Sequence, residues 1–177
     1  MAGAISPREK RLWIAVAFTT AALFASLYPL QFVLDALRER NLLRLSVGAV
    51  FLVASGAVLG WMWHRRARAA EWGVLALSAI LFAAVALSLD VAQERLHLVE
   101  YGGLALLLRA AFAERRRAAG WFAFAAAGAI GWADEIVQGM LPNRHYDPRD
   151  IGFNLLAAAL ALVSHWGLAR TAGRRAA

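Results

Sequence analysis

The chain has 177 residues, 61% of them hydrophobic and 18% charged, with a mean hydropathy of +0.54. An ordinary soluble domain is about 45–50% apolar, so this surplus belongs against lipid, and the net charge of +7 lies in short clusters between apolar runs, which points to membrane topology and away from nucleic acid. The absence of cysteine excludes disulfides, thiolate catalysis and cysteine-bound metal.

Six apolar runs predict six spans, so the fold class is an all-α polytopic transmembrane helix bundle in a single membrane domain covering residues 1–177. The first run, 12–33, follows Arg8, Lys10 and Arg11; it is too long for a signal-peptide core and reads as an uncleaved span. The second, 42–63, has Arg44 at its start and a Gly56/Gly60 pair whose GxxxG spacing favours helix packing inside the monomer over dimer formation. The third, 72–89, is uncharged until Asp90. The fourth, 96–113, and the fifth, 119–141, contain Glu100 and Glu135, and the sixth is 151–169. Lipid cannot satisfy backbone polar groups, so the runs are expected as helices. Barrel-type alternation is absent, and so is an internal repeat. Trp61, Trp63, Trp72 and Trp121 flank arginine clusters and read as interfacial anchors.

Arginine and lysine orient the bundle. With the N-terminus in the cytoplasm, the inner segments hold Arg8, Lys10, Arg11, Arg65, Arg66, Arg68, Arg109, Arg115, Arg116, Arg117, Arg170, Arg174 and Arg175, thirteen of the 19 basic residues. Both termini are then expected in the cytoplasm. Acidic residues do the reverse: only Glu9, Glu71 and Glu114 fall inside.

Three segments at the outer ends carry chemistry. In the fourth span His97, Glu100 and Tyr101 stand at i, i+3 and i+4 and share one helix face. An ionisable group in the bilayer costs at least about 2.5 kcal/mol, so that face turns inward; Gly102 and Gly103 then allow a close neighbour. In the fifth span Glu135 and Gln138 share a face, Pro142 ends the helix, and Arg144 offers a guanidinium fork suited to carboxylate or phosphate. Asp150 opens the sixth span as an N-cap or first-turn residue, and Asn154 follows one turn later. These groups could line one outward-facing cavity. The alternative is internal glue, with Glu135 paired to Arg144 and His97 to Glu100, but three segments that place polar groups at one depth favour the cavity.

The ordered set Glu94-Arg95-x-His97-x-x-x-Tyr101, Asp134-Glu135-x-x-Gln138, Pro142-x-Arg144 and Asp150-x-x-x-Asn154 resembles the VanZ-like family over about residues 94–160, and Tyr28-Pro29 fits as well. Glu94, Arg95 and Asn143 stand where that family usually has Asp, Lys and Gly. The resemblance implies a multi-pass protein of the bacterial inner (cytoplasmic) membrane, acting at the cell envelope. It also implies an association with antibiotic resistance of the kind directed at the glycopeptide teicoplanin. It brings no reaction with it.

Two classes of function fit these residues. In one, the site binds or modifies an anionic envelope component such as a lipid-linked phosphate. His97, Glu100 and Glu135 are then the catalytic candidates. Arg95, Tyr101, Gln138, Arg144, Asp150 and Asn154 are the substrate-binding candidates. In the other, the same residues form a non-enzymatic factor that binds lipid, antibiotic or a partner protein. A proton-coupled transporter is a third reading, against which the missing repeat counts. The phosphatidic-acid-phosphatase pattern is excluded, because Arg144 and His145 are adjacent and no Ser-Gly-His occurs. A metal held by His97, Glu100, Glu135 and Asp150 is chemically open, but the spacing matches no strong motif. Expected partners are membrane lipids and, through them, an envelope precursor or glycopeptide; no cofactor follows from the sequence.

Overall fold

In the computed structural model, residues 5–173 are described, apart from Asp90, Val91, Gln93, Asn143 and His145. The expectations placed on Asp90, Asn143, His145, Arg174 and Arg175 therefore lie outside the described residues. The described residues form six helices: α1 Pro7–Glu39, α2 Leu43–His64, α3 Ala69–Ser88, α4 Glu94–Ala113, α5 Ala119–Gly139 and α6 Pro148–Gly173. Each coincides with one apolar run; α1, α4 and α6 extend beyond it into polar residues, α3 starts three residues earlier, α2 is shifted by one, and α5 ends at Gly139, two residues short of the expected 141.

All but α5 are long and apolar enough to cross a membrane. With its 21 residues, α5 has the length, at 1.5 Å per residue, but Asp134, Glu135 and Gln138 reduce its hydropathy. What sustains it is packing, since it lies against both α4 and α6. These three helices form the centre. α1 packs on α4 and α3 on α6, while α2 touches only α1 and α4. The most hydrophobic window of α4 is accordingly 39% buried, against 6–11% for α1 to α3.

The interfaces are built from small residues. Gly102 of α4 faces Ala157 and Ala161 of α6, and a Cβ placed there would stand 3.6 Å from the Ala161 methyl. Ala105, Ala123, Ala127, Ala157 and Ala158 are sealed in the same core. Small side chains let backbones approach where lipid supplies no hydrophobic drive between helices. Large apolar side chains point outward instead, among them Phe18, Leu52, Trp63 and Trp121, all at least 74% exposed. A water-facing bundle does not carry such a surface, so the protein is a membrane protein.

The Gly56/Gly60 pair departs from expectation. A Cβ built on either meets nothing within 4 Å, so this GxxxG makes no contact inside the monomer. α2 sits at the periphery, and its glycine face looks outward.

One end of the bundle is zipped by arginine–carboxylate pairs. Arg115 Nε donates to Glu9 Oε1 at 2.5 Å, Arg8 Nε stands 3.4 Å from Glu114 Oε1, and an Arg65 guanidinium nitrogen donates to Glu71 Oε1 at 2.6 Å. Glu71 Oε2 also accepts from the Arg68 backbone N–H at 2.8 Å, which caps the start of α3. These three are the acidic residues that the arginine distribution groups on one side.

Candidate functional site

The opposite end carries the polar segments. α4 starts there, α5 ends there, and α6 begins after the turn through Leu141 and Pro142. Asp147 stops this turn: its Oδ1 accepts from the Arg149 N–H at 2.8 Å, and Pro148 takes the first helical position. Asp150 is thus a first-turn residue, and Asp147 does the capping.

The deepest part is a hydrogen-bonded chain. The Tyr101 hydroxyl donates to Asp134 Oδ2 at 2.9 Å. The Gln138 amide donates to Asp134 Oδ2 at 3.2 Å and to Glu135 Oε1 at 3.0 Å. Glu135 Oε2 accepts the backbone N–H of Asp147 at 3.2 Å. Tyr101, Asp134, Glu135 and Gln138 are all at most 3% exposed. Glu135 therefore takes its partners from Gln138 and the Asp147 backbone; the expected pairing with Arg144 is not among the ion pairs of the described residues.

Above this chain stands His97. Its Nδ1 is 3.9 Å from Glu100 Oε2 and its Nε2 is 3.9 Å from Asp150 Oδ2. Its ring centroid lies 6.0 Å from that of Tyr101. The expected His97–Glu100 partnership is present, at a spacing that is an ion contact and too long for a hydrogen bond.

Below, Asn154 is 1% exposed, and neither its amide oxygen nor its nitrogen has a hydrogen-bond partner among the described residues. It fits there because of Gly131. A Cβ on Gly131 would stand 3.0 Å from Asn154 Nδ2 and 3.2 Å from Tyr101 Cε1, closer than packed carbon atoms sit.

A cavity of about 40 Å³ opens beside His97. A single water needs about 10–15 Å³ measured this way, so there is room for a few waters or a small polar group. One wall is polar, formed by His97, Glu100, Asp134, Gln138 and Arg144. The other is apolar and comes mainly from α1, through Leu23, Leu27, Leu30 and Leu34. Ser26 of α1 also reaches it.

The three predicted segments therefore converge. His97, Glu100, Gln138 and Arg144 line the cavity; Tyr101 and Asp150 stand beside His97 and Glu135 binds Gln138, while Asn154 lies deeper, one helical turn beyond Asp150 and against Gly131. Arg95 is not brought in: its guanidinium donates to the Leu89 carbonyl at 2.9 Å and closes the end of α3. Two contributors were not among the candidate site residues. Asp134 binds Tyr101 and lines the cavity, a role signalled by its i, i+4 spacing to Gln138. The α1 wall gives no sequence signal at all.

His97, Glu135 and Asp150 come from three helices, and one donor atom of each lies within 4.8 Å of the other two. Residues far apart in sequence thus meet in a set able to ligate a cation, which spacing alone did not reveal. Set against protein-family models, curated proteins and solved structures, the chain matches none of them.

Proposed function

We propose that this end of the bundle receives the anionic headgroup of a membrane amphiphile, of the lipid-linked phosphate kind, at the outer face of a bacterial cytoplasmic membrane. The observation that carries it is the two-sided cavity. Arg144 and His97 stand with Glu100, Asp134 and Gln138 on one wall and a leucine strip on the other, which suits a molecule with a charged head and an apolar tail. Arg144 is the permanent cation of the lining residues, and a guanidinium binds phosphate in a fork. His97 is the group placed for proton transfer. The outward orientation rests on the arginine distribution, and the VanZ-like resemblance of residues 94–160 is consistent with an envelope role.

A non-catalytic envelope factor is the second reading. It is favoured by the Tyr101–Asp134–Gln138–Glu135 hydrogen-bond chain, which ties α4 to α5 and holds the shape of this end.

The test is lipid capture. The protein is placed in nanodiscs containing phosphatidic acid, and retained lipid is quantified by mass spectrometry. Arg144→Ala is expected to lose the phosphate lipid, while Arg95→Ala, whose side chain serves the α3 end, retains it. Equal retention by wild type and Arg144→Ala would sink the headgroup reading. Turnover of a lipid phosphate that stops in His97→Ala, with the protein still folded, separates the enzyme from the binding factor.

A further inference from the structure

The two ends of the bundle treat their carboxylates differently. Glu9, Glu71 and Glu114 each meet an arginine. Among the described residues, Glu100, Asp134, Glu135 and Asp150 have no arginine or lysine nitrogen within ion-pair distance; His97 reaches Glu100 and Asp150 at 3.9 Å, and Arg144 shares the cavity lining without pairing. Four carboxylates at one depth with so little counter-charge would repel one another and any incoming phosphate.

The geometry supplies a remedy. His97 points Nε2 toward Asp150 and Nδ1 toward Glu100, each at 3.9 Å. Glu100 thus stands behind the far nitrogen at ion-contact distance, and closing that gap to a hydrogen bond would fix the tautomer and orientation of a metal-binding histidine. Glu135 is held by Gln138 and the Asp147 N–H, one on each oxygen, and each oxygen keeps a second lone pair. Among the described residues, buried atoms of this cluster lack hydrogen-bond partners: Asp150 Oδ1 and His97 Nδ1 on the ligating side chains, and Oδ1 of Asp134, the neighbour of Glu135 in sequence. Asp134 is 3% exposed, and it lines the same cavity as His97. An unpartnered buried carboxylate oxygen is costly unless something positive faces it.

We propose that His97, Glu135 and Asp150 bind a divalent cation whose remaining coordination positions, with Arg144 alongside, accept the phosphate of the ligand. The cation site stands on its own geometry; its partnership with phosphate rests on the headgroup reading above. One imidazole with two carboxylates suits Zn²⁺ or Mn²⁺ better than Mg²⁺ or Ca²⁺, which favour all-oxygen shells. Three protein ligands leave an open position, as reactive sites require. Bonds of about 2.0–2.2 Å would draw the donors together by about an ångström.

The experiment is metal retention by the full chain. Detergent-purified protein is stripped with EDTA, titrated separately with Zn²⁺ and Mn²⁺, passed through gel filtration and analysed for bound metal. Wild type is expected to keep one cation per chain. His97→Ala and Asp150→Asn are expected to weaken it about tenfold or more, and Arg144→Ala to leave it unchanged. His97 and Asp150 side chains are 13% and 15% exposed, so these variants are preferred to any change at the fully buried Glu135, and a thermal melt of each verifies folding. No stoichiometric metal, or metal retained equally by both variants, overturns the site. Phosphatidic-acid capture with and without EDTA separates the two readings. Capture that needs Arg144 but survives EDTA keeps the headgroup and overturns the cation's role. A bound cation without any phosphate-lipid capture keeps the metal site and overturns the headgroup.

Discussion

The Tyr101 hydroxyl donates to Asp134 Oδ2 at 2.9 Å, and neither side chain is more than 3% exposed. This bond ties α4 to α5 in the buried part of the polar end. Removing one partner of a buried hydrogen bond strands the other, at about 1–3 kcal/mol, although polar contacts between membrane helices average nearer 0.6 kcal/mol. Tyr101→Phe is therefore expected to lower stability by about 1 kcal/mol while the protein still inserts. Thermal unfolding in detergent reads this directly, and an unchanged melting temperature would show that Gln138 alone suffices for Asp134.

Gly131 and Gly103 form a matched pair for the packing beneath the site. A Cβ on Gly131 meets Asn154 Cβ at 3.1 Å and Tyr101 Cε1 at 3.2 Å, whereas one on Gly103 meets nothing within 4 Å. Gly131→Ala must push α5 from its neighbours, at a cost of about 1–3 kcal/mol for overpacking. Gly103→Ala adds helix propensity of up to about 1 kcal/mol. The expected melts shift in opposite directions; a shared direction would mean that Gly131 has room the geometry denies it.

The helices themselves were legible in the sequence, because a bilayer demands long apolar segments and punctuates them with charge. His97, Glu100 and Tyr101 could be placed on one face for the same reason, since ionisable groups in lipid must turn inward. What escaped were pairings that depend on how each helix rotates about its axis. α1 and α2 are apolar on every side, so nothing in them announced that Leu23 to Leu34 would wall the cavity, or that Gly56 and Gly60 would face outward. Arg95 and Arg144 are chemically alike, yet one closes the end of α3 and the other lines the cavity. What separates them is where they stand: Arg95 in the first turn of α4 and Arg144 after the end of α5.

Topology is testable because the chain has no cysteine of its own. Single cysteines at Asn41, Met140 or Tyr146 should react with a membrane-impermeant maleimide added to intact cells. Cysteines at His64, Arg117 or Thr171 should react only after permeabilisation. The Arg117 and Met140 pair is the decisive one, because it asks whether α5 crosses the membrane despite Asp134 and Glu135. Labelling of both from the same side would place α5 as a helix that does not span and would reverse α6.

Asn154 distinguishes a site from glue. Its buried amide has no hydrogen-bond partner among the described residues, an arrangement that costs about 1–3 kcal/mol. Asn154→Ala removes that cost and leaves a cavity worth about 1 kcal/mol or more in lost packing. The two effects oppose each other, so the melting temperature is expected to stay within a few degrees of wild type. If the amide is kept for a ligand, capture of phosphate lipid falls in the same variant even though the bundle is intact. A large loss of stability with capture retained per folded molecule would assign Asn154 to the scaffold, and the polar end of the bundle would then reach no deeper than His97, Glu135 and Asp150.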